Sequence, residues 1–387
     1  MGEQSFRASQ AMKWIYGEQQ VDIDAFTNFS LPLRKSLKEQ CVVKVPKLLS
    51  EQVSVDGTIK WLLKVDEVNA VETVYIPEKN RGTLCVSSQV GCTLNCTFCA
   101  TGAQGFNRHL TTAEIIAQVW VAAKQLGHSL NDRKITNVVM MGMGEPLANY
   151  SRVLPALNIM RDDLGFGFAN RRVTVSTAGL VPYINKLQQD ADVSLAISLH
   201  APDDELRNKL VPLNKKYNIE TLLNACKNFV KDKRKARVTI EYTLIDGMND
   251  RPEHARALCQ LLKQLPSKIN LIPFNPFPGN AFKQSKPEAI EQFKEICMKN
   301  GLITTVRKTR GDDIAAACGQ LAGDFMDRTR RSAELKKLQL LRGGSMRYSW
   351  LVVMLCVLTG CVQTMVGPAT IQGFLITSPE PENLQLC

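Results

Sequence analysis

From residue 81 to residue 306 the chain repeats one pattern, a short apolar strand, a loop and then a helix, and few architectures accommodate it. Strands are predicted at 83–87, 135–141, 172–176, 193–198, 238–244, 268–273 and 302–306. Between them the 3.6-residue apolar period predicts helices near 112–126, 149–162, 180–189, 203–210, 219–231, 251–264 and 285–299. Strand and helix in alternation imply parallel strands joined by right-handed crossovers. About six such units make an α/β fold, a partial or full barrel whose working face lies at the C-terminal strand ends.

The chemically unusual residues fall at those ends. Gly91-Cys92-Thr93-Leu94-Asn95-Cys96-Thr97-Phe98-Cys99 follows the first strand, Met143-Gly144-Glu145-Pro146 the second and Ser176-Thr177-Ala178-Gly179 the third. Ser198-Leu199-His200-Ala201 follows the fourth and Asn275-Pro276 the sixth, so all five segments should converge on one mouth. Cysteines spaced four and then three residues apart suit three corners of an iron–sulfur cube, because thiolate is the usual protein ligand of such iron. An iron without a cysteine stays open to a small molecule, as catalytic metal sites do. Zinc is the alternative, and it needs one more ligand, for which His109 or Cys85 qualifies. Glu145, between a glycine and a proline, is placed to accept from an ammonium group. His200 is either a satisfied core histidine or a ligand contact made through backbone or ring.

A formal charge of +11 suggests a polyanionic partner, nucleic acid first. Basic runs occur at 231–237, 307–310 and 328–331, with Arg171-Arg172 nearer the mouth. Each alone reads as a solvated run, and 307–310 is the best RNA candidate because it leads into the segment around Cys318. The twelve cysteines do not follow a secreted disulfide pattern and no secretory signal opens the chain, which fits a reducing cytoplasm. Cys226, Cys259 and Cys297 fall on apolar helix faces and read as core, as does Cys41 in its valine-rich segment. Residues 1–50 read as a small helical accessory module and 51–80 as a β extension with a hairpin turn at Asp56-Gly57.

The three-cysteine loop after a first barrel strand and the Gly-Glu-Pro segment resemble the radical S-adenosylmethionine (SAM) superfamily. Ser87-Ser88-Gln89-Val90-Gly91-Cys92, Gly142-Met143-Gly144-Glu145-Pro146-Leu147, residues 194–202 and Ala317-Cys318-Gly319-Gln320-Leu321 are more specific. They resemble the branch of that superfamily that methylates adenine in RNA, over residues 2–341. The resemblance implies a partial (β/α)6 barrel over 81–342, with Cys92, Cys96 and Cys99 holding a [4Fe-4S] cluster whose open iron SAM chelates. It matches Gly144 and Glu145 to contacts of the SAM amino group, and Ser176, Ser198, Leu199, His200 and Asn275 to its other contacts. It implies methylation of adenine C2 in 23S rRNA and in tRNA, and makes the 1–50 module an RNA-binding accessory. Cys318 is methylated by one SAM, a radical from a second takes hydrogen from that methyl, and the resulting carbon attacks C2. By the same resemblance Cys85 then forms a disulfide with Cys318 to free the product, and Glu72 is the proton acceptor. An electron donor such as flavodoxin, a monomeric state, a cytoplasmic location and no membrane association are implied with it.

The residues alone leave more open. Adenine C2 is electron-poor and its hydrogen resists ordinary bases, so a radical route with two extra thiols is chemically sensible. Cys318 lies in the small-residue run Ala315-Ala316-Ala317-Cys318-Gly319, which suits a loop that swings to substrate or a packed turn. Cys85 reads equally as a buried core thiol, and Glu72 as a solvated strand residue. Rival functions are methylation of C8 of the same adenine, and a non-catalytic iron–sulfur or zinc RNA-binding module. Fewer residues precede Phe6-Arg7-Ala8 than the family usually carries, which leaves the RNA grip of the helical module open. After residue 343, Met346-Arg347, an apolar run and Leu358-Thr359-Gly360-Cys361 look like a lipoprotein signal. At this position it is expected to be an inert, joined reading frame over 343–387, disordered or poorly packed and too short to span a bilayer, with no role for Cys356, Cys361 or Cys387.

Overall fold

The computed structural model describes residues 3–129, 132–233, 236–329 and Arg331. The signal-like tail expected at 343–387 lies outside them, as do Arg234, Lys235 and Arg330 of the basic runs. Two short helices, α1 (Ser5–Met12) and α2 (Leu31–Gln40), build the N-terminal module. Its small core is Ile23, Phe26, Phe29 and Leu33, with Trp14 stacked on Phe26 at 5.5 Å between ring centroids. Cys41, expected in a core, is exposed, because it ends α2 and enters an extended connection outside the module's core.

The chain then makes an antiparallel set, β1 (Lys47–Val53), β2 (Ile59–Lys64) and β3 (Ala70–Glu78), which pairs on to β4 (Arg81–Cys85). After β4 come β5 (Gln89–Gly91), α3 (Ala100–Gln104), β6 (Phe106–His109) and the long α4 (Thr112–Leu126). The alternation continues through β7 (Asn137–Met140), α5 (Tyr150–Arg161), β8 (Val173–Thr177), α6 (Val181–Asp190) and β9 (Ser194–Ser198). It finishes with α7 (Asp204–Leu210), α8 (Ile219–Lys231), β10 (Val238–Leu244), α9 (Pro252–Leu262), β11 (Ser267–Pro273), α10 (Pro287–Lys299) and β12 (Ile303–Val306).

One ten-stranded sheet results, in the order β1-β2-β3-β4-β7-β8-β9-β10-β11-β12. Every pair from β4 to β12 is parallel, which is the α/β partial barrel the alternation predicted. The extension strands continue the same sheet antiparallel across β3 and β4, so the hairpin they form reaches the barrel's own edge. Helix α4 starts at a reciprocal cap between Thr111 and Glu114 and stops at Gly127 in the left-handed region. Its inner face buries Ile115, Val119 and Ala122 against the sheet, where each fully covered large aliphatic contributes roughly 1.5–3 kcal/mol. Cys226, Cys259 and Cys297 sit in the same core, as their helix faces predicted. Among the described residues no helix is long and apolar enough to cross a membrane.

Candidate active site

The cysteine loop is an excursion between β5 and β6, which pair antiparallel through Gln89 and His109, Val90 and Arg108, and Gly91 and Phe106. Gly91 has φ 76°, and a Cβ there meets the Gly105 carbonyl at 2.2 Å, so no other residue fits the entry to the loop. Arg331 closes it from outside, its guanidinium donating to the carbonyls of Cys92 at 2.8 Å, Leu94 at 2.8 Å and Gly102 at 2.9 Å. The 328–331 run was a candidate RNA surface, and at Arg331 that expectation is corrected. A tight loop leaves carbonyls that no strand or helix satisfies, and a five-donor guanidinium takes them.

Cys92, Cys96 and Cys99 line an open cavity of about 160 Å³ at the C-terminal strand ends. Gly144, Glu145, Ser176, Ser198, His200, Asn275 and Cys318 line the same cavity, so the five converging segments do meet. Burial drives the Cys92 thiol well above its usual range, and the neighbouring Cys99 and Cys96 push it further. Cys96 is pushed up to about 12 by burial and then by Cys99 and Glu145. Half-buried thiols so close that Cys99 opposes the ionisation of both Cys92 and Cys96 fit a shared cationic centre, which supplies the charge their thiolates lack. Among the described residues no three His, Cys, Asp or Glu gather tightly enough to chelate a single metal ion. The candidate fourth zinc ligands do not line the cavity: His109 Nδ1 faces the Gln89 amide at 3.0 Å, and Cys85 is buried in β4.

Glu145 is buried at the end of β7, with Oε1 accepting from the Leu147 N–H at 3.1 Å and Oε2 from the Ala178 N–H at 2.8 Å. Burial raises its pKa to about 7, against the pull of those hydrogen bonds. Gly144 beside it has φ 101°, and a Cβ there meets Gln89 Cβ at 2.6 Å. His200 adopts φ 60°, a left-handed conformation uncommon for a non-glycine residue. Its Nδ1 accepts from the Thr243 N–H at 2.9 Å and burial lowers its pKa to about 3, so the ring is neutral and carries its proton on Nε2. Leu199 does not line the cavity; its side chain is core and its carbonyl accepts from Arg207 at 3.0 Å.

Arg207, which the sequence reading missed, is fully buried and also donates to Ala178 O at 2.6 Å, Ser198 O at 3.1 Å and Asn214 Oδ1 at 2.7 Å. One guanidinium therefore ties the ends of β8 and β9 together. Its signal in the sequence, an arginine in a polar helix, is indistinguishable from that of a surface residue.

Cys318 reaches the cavity on the segment after β12, with its carbonyl held by Asn275 Nδ2 at 3.0 Å. Arg307 Nη1 lies 2.6 Å from Cys318 Sγ, with Glu241 and Cys85 close enough to act on the same guanidinium. Burial raises the Cys318 thiol and Arg307 opposes that rise. Arg307 was expected on an RNA surface; it turns inward because a buried sulfur and a buried carboxylate both recruit its charge. Arg310 likewise pairs with Asp56 at 3.8 Å, which leaves Lys308 as the exposed cation of that run. Cys85, in β4, does not line the cavity, and burial followed by the nearby Cys318 raises it to about 12. Glu72, in β3, lies off the cavity as well, paired with Lys60 at 2.9 Å.

Comparison with known proteins accords with this arrangement. The model of the Radical SAM superfamily matches residues 86–259, and that of the ribosomal RNA large subunit methyltransferase N-terminal domain matches residues 1–43. A protein of Stenotrophomonas maltophilia (strain R551-3) named dual-specificity RNA methyltransferase RlmN is 56% identical over 349 residues, 87% of each chain. One of Xanthomonas campestris pv. campestris (strain B100) with the same name is 54% identical over the same length and the same shares. The crystal structure of a radical SAM methyltransferase from Sphaerobacter thermophilus superposes with a TM-score of 0.76 at 44% identity, covering 82% of this chain and 92% of that one.

Proposed function

The chain belongs to the RlmN family of radical SAM RNA methyltransferases, and from that membership we propose the part each residue takes in methylating adenine C2 in 23S rRNA and in tRNA. Cys92, Cys96 and Cys99 hold a [4Fe-4S] cluster, and Gly144, Glu145, Ser176, Ser198, His200 and Asn275 hold SAM, with Leu199 packed in the core between two of them. Bound there, cluster and SAM supply an electron and a carbon radical able to take hydrogen from an unactivated methyl group. The Glu145 carboxylate accepts from the SAM ammonium, which favours its ionised form. His200 offers only a donor, Nε2–H, and so orients an acceptor on the ligand.

Cys318 carries the methyl group. Its sulfur takes the methyl as a thiolate, and the Arg307 cation makes that thiolate accessible in a site whose burial opposes it. Cys85 lies close enough to influence Cys318 electrostatically. Its thiolate attacks Cys318 Sγ, and the bond from that sulfur to the new carbon on the base breaks as the S–S bond forms. The carbon takes a proton to become the methyl group, while Glu72 takes the C2 proton. The target adenine leaves its stack to reach the mouth. The helical module of 1–50 assists RNA binding, 51–80 is an extension of the catalytic body over 81–342, and the enzyme acts as a cytoplasmic monomer with a flavodoxin-type donor.

The observation that carries this reading is the Arg307 to Cys318 contact in the wall of the three-cysteine cavity. The test is anaerobic reconstitution with iron and sulfide, followed by SAM, reductant and rRNA or tRNA fragments, and mass spectrometry of the nucleosides. Expected is 2-methyladenosine, and none of it from Cys318→Ala. Full product from that variant, or a methyl on C8, overturns the assignment.

A further inference from the structure

Glu72 is one half of a buried ion pair, and its partner is Lys60. Lys60 and Glu72 are each 8% exposed and come from neighbouring strands, β2 and β3. Lys60 pairs with Val74 and Leu62 with Glu72, so the two charged side chains share a sheet face as diagonal neighbours. Lys60 Nζ lies 2.9 Å from Glu72 Oε1.

Each partner also holds the segment that carries Cys318. Lys60 Nζ donates to the Ala315 carbonyl at 3.3 Å, three residues before the cysteine, and the Ala322 N–H donates to Glu72 Oε2 at 2.9 Å, four residues after it. Ala315 sits at φ 50°, a left-handed conformation an alanine adopts only under constraint, and Lys60 grips its carbonyl. Beyond Ala322, Ala70 and Asp324 exchange backbone hydrogen bonds at 2.6 and 3.2 Å, which fixes the far end to β3.

A buried ion pair is seldom worth more than an apolar pair of the same size, so stability alone is a weak reason for its presence. We propose that Lys60 is a positioning residue: it holds Glu72 as an oriented carboxylate and ties it to the Cys318 segment, so that proton acceptor and methyl carrier keep one mutual geometry. The proposal rests on the reading of Glu72 as proton acceptor. In that step the C2–H bond of the adenine joined to Cys318 breaks, the proton goes to a Glu72 oxygen, and the bonding pair stays in the purine ring. Lys60 supplies the counter-charge at Oε1.

The experiment compares wild type, Lys60→Met, Lys60→Gln, Lys60→Arg and Glu72→Gln as full-length, cluster-loaded proteins with SAM, dithionite and a tRNA transcript. Three quantities are read: SAM cleavage, RNA covalently held on Cys318 in a denaturing gel, and methyladenosine released. Lys60→Met is expected to cleave SAM and load RNA as wild type does but to release product about tenfold more slowly, part of the roughly hundredfold or more that a positioned base contributes. RNA-bonded protein then accumulates, and Lys60→Arg restores most of the release. Wild-type release by Lys60→Met overturns the proposal, and so does loss of SAM cleavage in both Lys60→Met and Lys60→Gln, which makes the role one of packing. Wild-type release by Glu72→Gln overturns the underlying reading of Glu72 instead, and is told apart because it leaves the Lys60 results without a base to position.

Discussion

At the scale of single residues, the site is governed by a few buried charges whose partners are not their sequence neighbours. Burial raises the pKa of Glu145 to about 7 because it outweighs the two N–H donors. Its ionised fraction falls as pH drops through that value, and only the carboxylate pairs with the SAM ammonium. SAM affinity is therefore expected to weaken from pH 8 to pH 6, measured by equilibrium dialysis on the cluster-loaded protein. Glu145→Gln should flatten that dependence and bind about tenfold or more weakly, the scale of a lost charge-assisted hydrogen bond. Arg307 works in the other direction on Cys318, holding down a thiol that burial raises. Arg307→Met removes the opposing charge, so the Cys318 thiol rises further. Its alkylation at pH 8 should slow by about tenfold or more, since a close opposite charge shifts a pKa by roughly 1–3 units. Peptide mass spectrometry of the Cys318 adduct reads the rate.

At the scale of elements, helices were legible almost to the residue where their ends are written locally. The predicted 112–126 and 219–231 coincide with α4 and α8, because Thr111 and Asn218 cap the first turn of each. The β5 and β6 ribbon was not foreseen: three and four residues with a glycine at the turn carry no apolar period to read. The strand ends are held by Arg207, whose four acceptors belong to Ala178, Ser198, Leu199 and Asn214. Arg207→Met leaves three backbone carbonyls of the site without their donor, and a loss of about 3 kcal/mol is expected, at the charged hydrogen-bond scale. Thermal unfolding of the apoprotein measures it. Lowered SAM affinity should accompany it, because Ser198 and Ala178 lose their common tether.

At the scale of the whole molecule, the formal charge of +11 includes Arg207, Arg307 and Arg331, which face inward and are discounted as RNA contacts. Exposed cations near the functional segments include Lys308 and Arg328, whereas Arg171, expected nearer the mouth, precedes β8 and so lies at the N-terminal strand ends, away from the site. RNA affinity is expected to fall steeply as salt rises, and replacing Lys308 with Ala should lower the log–log salt slope by about 1 if it meets a phosphate. Filter binding from low to physiological salt distinguishes this from an unchanged slope. The β1–β3 hairpin gives the second large-scale feature. It lengthens the barrel's sheet and also anchors the Cys318 segment through Ser54 to Asp313 at 2.5 Å, Asp56 to the Gly311 N–H at 3.1 Å, and the Lys60–Glu72 pair.

Periodicity and local spacing were sufficient for the parallel α/β architecture, the strand ends that carry the site and the three-cysteine loop. Each of these is encoded within a few residues of chain, by apolar spacing, caps and turns. The inward roles of Arg207, Arg307 and Arg331, and the joining of Lys60 to Glu72 beneath the Cys318 segment, were not legible. Their partners lie far along the chain or are backbone carbonyls common to every residue, and a charged side chain reads the same in sequence whether water or a buried sulfur faces it. Tertiary packing decides between those two, because it sets the acceptors where only one cation reaches them.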